Sequence, residues 1–170
     1  MSTTIVIMVD GLDPEYLSMC PAPRLEELAK AGSRSDVRGL MPSVTNVNNV
    51  SLVTGSYPEN HGITSNYWLD RDRDSEHYME SAEYIRSETM FQRADGLGMR
   101  SLLVTAKDKL RRLLSTGTTV SVSSEQPPGW VVDGVGTPPE IYSLEVNRWV
   151  LDAGLFILSQ QDFDLVYLTT

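Results

Sequence analysis

The segment Thr4-Ile5-Val6-Ile7-Met8-Val9-Asp10-Gly11, TIVIMVDG, decides the fold. A short, β-branched apolar run with no polar alternation reads as a strand covered on both faces, the pattern of a parallel sheet. Asp10-Gly11 ends it in a turn. PAPRLEELAKAG (21–32) then reads as a helix, with proline in its first turn, Leu25, Leu28 and Ala29 on one face, and Gly32 as its stop. Further along, SLLVT (101–105) reads as a second strand and TVSVSSE (119–125) as a short third one. An amphipathic helix over 143–160 turns Leu144, Trp149, Val150, Ala153 and Ile157 to the core, and FDLVYLTT (163–170) reads as a last buried strand. Alternation of strand and helix predicts an α/β fold, a mostly parallel sheet flanked by helices.

Between these elements, VNNVSLVTG (47–55) reads as a helix opening just after Thr45 and closing at Gly55. DRDRDSEHYMESAEY (70–84) is dense in charge and reads as a solvated turn or hairpin. A calcium loop is excluded there, because Ser75 stands at the sixth position and Ser81 at the twelfth. ETMFQRADGLG (88–98) predicts another helix, and QPPGWVVDGVGTPPE (126–140) a Pro/Gly-rich loop.

The 170 residues are 41% hydrophobic and 22% charged, enough for one domain or most of one. A formal net charge of −9 excludes the basic face that nucleic acids require. No apolar run approaches the ~20 residues of a membrane span. The N-terminus lacks a basic region and a cleavage site, so the cytoplasm is the expected compartment. Cys20 has no partner for a disulfide and reads as an inert small residue. With one cysteine and two histidines, any metal must be bound largely through carboxylates or through ligands from elsewhere.

Several residues could carry chemistry. Asp10, at the carboxyl end of the first strand, suits a metal ligand, or it simply closes the turn. In PSVTNVNN (42–49), Thr45 stands at a helix start, where free N–H groups and the helix dipole favour an anion. A nucleophile fits there, and so does a plain helix cap from Ser43 or Thr45. Asn66 could donate to an oxyanion or satisfy a turn. His61 reads as a hydrogen-bonded structural residue, and His77 has no role. In an extended segment Lys107 and Lys109 would project to one face and clamp an anionic ligand; the alternative is a helix start with solvated lysines. The glycine pairs 96/98 and 134/136 lack the remaining spacing of a nucleotide-binding loop.

Taken together, IVIMVDGLDPEYL (5–17), MPSVTNVNNVSLVTGSYPENHGITSNYWLD (41–70) and LLVTAKDKLRRLL (102–114) resemble the alkaline phosphatase superfamily. The branch they resemble is that of the nucleotide pyrophosphatase/phosphodiesterases, and within it most closely the phosphonoacetate hydrolases. The resemblance implies an alkaline-phosphatase-like core and two zinc ions, with Asp10 and Thr45 as ligands of one of them. It further implies that Thr45 is the nucleophile, that Asn66 binds the phosphoryl oxygen, and that Lys107 and Lys109 read the substrate.

The implied reaction is hydrolysis of the C–P bond of phosphonoacetate to acetate and phosphate through a phospho-threonine. A nucleotide phosphodiesterase or pyrophosphatase is the first alternative, and a non-catalytic phosphate-binding α/β domain is the second. The implied partner is a small phosphonate, with no nucleic acid and no membrane, and a homodimer is a candidate assembly. In this branch the remaining zinc ligands follow the strand at which this sequence stops. Residues 1–170 are therefore expected to be the N-terminal part of a single, incomplete catalytic domain, binding zinc poorly and nearly inactive alone.

Overall fold

The computed structural model describes residues 2–170. Four strands form one parallel sheet: β1 (Thr4–Met8), β4 (Ser101–Thr105), β5 (Val120–Ser123) and β6 (Leu165–Thr169), in the order β1-β6-β4-β5. Strands β2 (Tyr67–Asp70) and β3 (Ser75–Tyr78) make a separate antiparallel hairpin across the charged 70–75 segment. The helices are α1 (Pro14–Met19), α2 (Pro23–Ala31), α3 (Thr45–Thr54), α4 (Pro58–His61), α5 (Met90–Gly96), α6 (Asp108–Leu114), α7 (Gly129–Val135) and α8 (Leu144–Gln160).

The two central strands explain the layering. Successive side chains of a strand face opposite ways, and SLLVT of β4 is buried at every position. Leu102 and Val104 join Val166 and Leu168 of β6 on one face, where α8 lays down Trp149, Val150, Ala153 and Ile157. Leu103 and Tyr167 point to the other face and meet Val47, Val50, Phe91, Leu110, Leu113 and Leu114 from α3, α5 and α6. At Gly154 of α8 a Cβ would approach Leu168 Cδ2 to 2.8 Å, so glycine lets this helix sit close on the sheet.

Several expectations need correction. Strand β1 is covered on one face only: Val6 and Met8 pack against the apolar cluster beneath α3, while Ile5 and Ile7, on the opposite face, are about half exposed. Leu25 and Leu28 of α2 are likewise exposed, and none of that helix is buried. Leu144 is 84% exposed, since Ser143 is the N-cap and the apolar stripe of α8 begins at Val146. The Pro/Gly-rich 126–140 segment contains α7, which packs on α8 with Val131 buried. Helix α1 was not legible; Asp13 caps it by accepting from the Glu15 N–H at 2.8 Å. Cys20 is exposed rather than packed.

The sheet register matters most for the site. Met8, Thr169, Thr105 and Ser123 lie side by side across the four strands, so all four end flush. The residues just beyond them, including Asp10 and Lys107, therefore share one rim. Met8 and Thr105 are separated by β6 alone, which puts the two chain exits about 10 Å apart at a strand spacing of 4.7–4.9 Å. Open α/β sheets bind ligands in the crevice outside the carboxyl ends of their strands.

Candidate active site

Asp10 and Thr45 meet at this rim. The Thr45 hydroxyl donates to Asp10 Oδ2 at 2.9 Å across 35 residues of sequence. Thr45 is the first residue of α3; the N-cap is Val44, and no side chain caps the helix. The capping role open to Ser43 or Thr45 is therefore not the one either performs. Thr45 points its oxygen at a carboxylate instead, with the unpaired N–H groups of α3 behind it.

Three asparagines hold this helix start in place. Asn46, 4% exposed, donates from Nδ2 to the Met79 carbonyl at 2.9 Å. Asn48 accepts from the Leu40 N–H at 3.1 Å, fixing the incoming loop. Asn49, fully buried, donates to the Thr45 carbonyl at 3.0 Å and accepts from the Tyr167 hydroxyl of β6 at 2.8 Å. Burial pushes the Tyr167 hydroxyl pKa well above its ordinary value, so this group stays a donor. The sequence carried a signal for these residues. Asn46 and Asn49 share the buried face of α3 with Val47, Val50 and Val53, where an apolar residue would ordinarily sit.

His61 supports α3 from below. It is fully buried; the Ile63 N–H donates to its Nδ1 at 3.1 Å, which leaves Nε2 to donate to Ser51 Oγ at 2.8 Å. Ser51 donates in turn to the Val47 carbonyl at 2.6 Å. This is the structural histidine that the sequence suggested. The neighbouring Gly62 takes φ +85°, and a Cβ there would come within 2.9 Å of the Tyr84 carbonyl. Burial pushes the His61 pKa below its ordinary 6.5, outweighing a backbone hydrogen bond that raises it. Unfolding then takes up a proton in the window below pH 6.5, so stability contributed above that pH is lost as pH falls. The unfolding free energy from urea titrations between pH 7.5 and 5.5 should decline with a slope of at most about 1.4 kcal/mol per pH unit. In His61→Gln this slope should flatten.

Asn66 lies at the base of the hairpin, immediately before β2. Its backbone carbonyl accepts from the Met79 N–H at 2.8 Å. Its side-chain Oδ1 is buried with no partner among the described residues, an orphaned acceptor beside the hairpin. On one side of the hairpin, the Tyr67 and Tyr78 hydroxyls share a 2.7 Å hydrogen bond that raises the Tyr67 pKa.

The lysine pair is arranged differently from the extended reading. Helix α6 starts at Asp108, so Lys107 is its extended N-cap and Lys109 belongs to its first turn. Residues two apart on a helix point in widely different directions. Lys107 Nζ lies 5.4 Å from the ring centre of Tyr142, and Lys109 Nζ lies 5.8 Å from that of Tyr78. The helix start alternative is thus the observed one, and each cation has its own aromatic ring. Lys109 stands against the hairpin that follows Asn66, whereas Lys107 faces the 136–143 loop.

Between the lysines, Asp108 is buried and accepts from Arg111 Nε at 2.7 Å and Ser123 Oγ at 2.8 Å. Arg112 Nε is 3.4 Å from its other oxygen and also reaches Glu80 through Nη2 at 3.0 Å. Burial raises the Asp108 pKa, but Arg111, Ser123 and Arg112 together outweigh it, and the carboxyl ends below its usual range. This network fastens the start of α6 to β5 and to the hairpin. Sequence reasoning missed it, because pairing across 15 residues to Ser123 is a tertiary event.

A carboxylate and a hydroxyl 2.9 Å apart suit two oxygen ligands of a divalent cation. Among the described residues, no group of three His, Cys, Asp or Glu side chains is placed to hold one. Asp10 and Thr45 thus fit part of a metal's coordination shell. Nor is any helix among the described residues long and apolar enough to cross a membrane.

Comparison with known proteins shows which chains share this fold. Phosphonoacetate hydrolase from Sinorhizobium meliloti 1021, solved in complex with phosphonoacetate, superimposes with a TM-score of 0.80 and 33% identity over 99% of this chain. Murine ectonucleotide pyrophosphatase/phosphodiesterase 5 shares the fold, with a TM-score of 0.63 at 17% identity. Among curated relatives, an ectonucleotide pyrophosphatase/phosphodiesterase of Caenorhabditis elegans is 42% identical over 67 residues, 39% of this chain. The venom phosphodiesterase of Naja atra is 26% identical over 98% of this chain. The chain spans 46% of the hydrolase chain, 43% of the murine one, and 9% and 20% of these two relatives. A model of type I phosphodiesterases and nucleotide pyrophosphatases matches residues 4–161. With nearly its whole length matched, the chain belongs to the type I phosphodiesterase/nucleotide pyrophosphatase family.

Proposed function

We propose that this chain supplies the nucleophile and part of the substrate pocket of a zinc-dependent hydrolase that cleaves the C–P bond of phosphonoacetate. The observation that carries this reading is the Thr45–Asp10 hydrogen bond at the rim, on the same sheet edge as Lys107. Likeness to a phosphonoacetate hydrolase over 99% of the chain supports the choice of substrate.

Asp10 and Thr45 are the residues of this chain that would hold a zinc ion. When bound, the metal supplies a Lewis acid that favours the threonine alkoxide at neutral pH. Thr45 Oγ attacks phosphorus, the P–C bond breaks, and the electron pair leaves on carbon. In phosphonoacetate that pair spreads into the adjacent carboxylate as an enolate, which takes a proton from water to give acetate. Water then hydrolyses the phospho-threonine to phosphate. Asn66 contributes its amide to a phosphoryl oxygen. Lys109, with Lys107 two strands along the rim from Asp10, stabilises the enolate charge more than the ground-state carboxylate, as catalysis requires.

The family match and the phosphodiesterase relatives favour one second reading, hydrolysis of a nucleotide phosphodiester. Assay of the whole zinc-loaded protein on phosphonoacetate and on the 4-nitrophenyl ester of thymidine monophosphate separates the two. Release of phosphate from phosphonoacetate is expected, at a kcat/KM at least on the order of 10⁴ M⁻¹s⁻¹. Turnover of the ester alone would replace the phosphonate reading with the phosphodiester one.

A further inference from the structure

We infer that Asn46 is a positioning residue that sets the distance between the attacking oxygen of Thr45 and the phosphoryl-binding amide of Asn66. The inference rests on the roles proposed above for those two residues.

The connection is short and buried. Asn46 follows Thr45 directly in α3, and its Nδ2 donates to the Met79 carbonyl at 2.9 Å. The N–H of the same residue, Met79, donates to the Asn66 carbonyl at 2.8 Å. One peptide unit on each side of Met79 therefore ties the helix of the nucleophile to the residue that would receive the phosphoryl oxygen. Met79 is 6% exposed and packs in the apolar cluster with Val47 and Val50, so water does not compete for these bonds.

Packing alone does not account for an asparagine at this position. The buried face of α3 otherwise carries valines and Asn49, and asparagine is a poor helix former because its side chain competes for backbone groups. Asn49 already fixes α3 against β6 through Tyr167. What Asn46 adds is the link to the hairpin, the one element among the described residues that carries Asn66. Chemically, a nucleophile and an oxyanion donor must address one phosphoryl group together, and a displacement near 1 Å costs about a hundredfold in rate.

A double-mutant cycle on the whole zinc-loaded protein tests this, using whichever of the two substrates above is turned over. Asn46→Ala should lower kcat roughly ten- to a hundredfold. In an Asn66→Ala background the same change should lower it by less than about twofold, because its effect runs through Asn66. Equal losses in both backgrounds would overturn the inference. Asn46→Asp is close in shape and keeps the fold testable if the alanine variant does not fold. Protonated, it donates to the Met79 carbonyl; ionised, it repels it, so its kcat relative to wild type should rise as pH falls. A flat ratio counts against the proposal. In the metal-free protein, the side-chain ¹⁵N–H signals of Asn66 should shift in Asn46→Asp relative to wild type, and unmoved signals would sink it. If Asn66→Ala leaves kcat unchanged, the catalytic reading of Asn66 fails, and these signals alone decide whether Asn46 sets its place.

Discussion

Thr45→Ala in the whole zinc-loaded protein is expected to lower kcat on the order of 10⁴–10⁶-fold, with the fold intact. The reason is chemical. Thr45 Oγ donates to Asp10 at 2.9 Å, and alanine removes the attacking atom while leaving the buried asparagines of α3 in place. Thr45→Ser keeps the hydroxyl and should keep measurable turnover. Rapid acid quench of the wild type during turnover of ³²P-labelled substrate should trap label on Thr45, and the alanine variant should trap none. Unchanged hydrolysis in Thr45→Ala would reduce the Asp10 contact to a local tether and remove the covalent mechanism.

The largest expected loss of stability comes from Asp108→Asn. The carboxylate is buried and serves Arg111, Arg112 and Ser123 at once. Removing one partner of a buried ion pair costs about 3–5 kcal/mol. Arg111 and Arg112 retain 25% and 56% of their side-chain exposure, which moves the expectation to about 2–3 kcal/mol. For a chain of this length that is a fall in Tm of about 5–10 °C. The sign of the pH dependence follows from the depressed pKa. The ionised form is favoured in the folded state, so the contribution is present above the ordinary value of 3.8 and is lost as pH falls through the folded pKa. Thermal melts of wild type and variant should therefore converge only below pH 3.8. Because the network also fastens the first turn of α6, the variant should raise KM for phosphonoacetate through Lys109. An unaltered Tm at pH 7 would show that water already satisfies the two arginines.

How much of this was legible beforehand differs by element. Ser101–Thr105 was readable to the residue, because a run buried on both faces has no polar interruption and polar groups bound it. The end of helix α3 was readable at Gly55, which takes the left-handed conformation that closes it, and its start to within a residue or two of Thr45. The single covered face of β1 was not readable. TIVIM looks the same with one face covered as with two, and neighbours, not residue type, decide exposure. The choice between the two readings of the lysine pair was open for a related reason. A two-residue spacing puts side chains together only in extended chain, and whether α6 begins at Asp108 depends on the Arg111 and Ser123 contacts that make this residue a buried first-turn acid.

For the site, local pattern marked the candidate groups: a carboxylate ending a strand, a threonine at a helix start, an asparagine 21 residues later and two lysines after a strand. These follow from local pattern, because strand ends and helix starts are set by neighbouring residues. How these groups stand toward one another comes from contacts between elements distant in sequence. Parallel register brought four strand ends flush, a hydrogen bond joined Asp10 to Thr45, and Met79 linked Asn46 to Asn66. Each of these spans 33 residues or more or passes through a third element, so no local periodicity encodes it. Their physical origin is the requirement that buried polar groups find partners wherever the packed sheet and helices bring them.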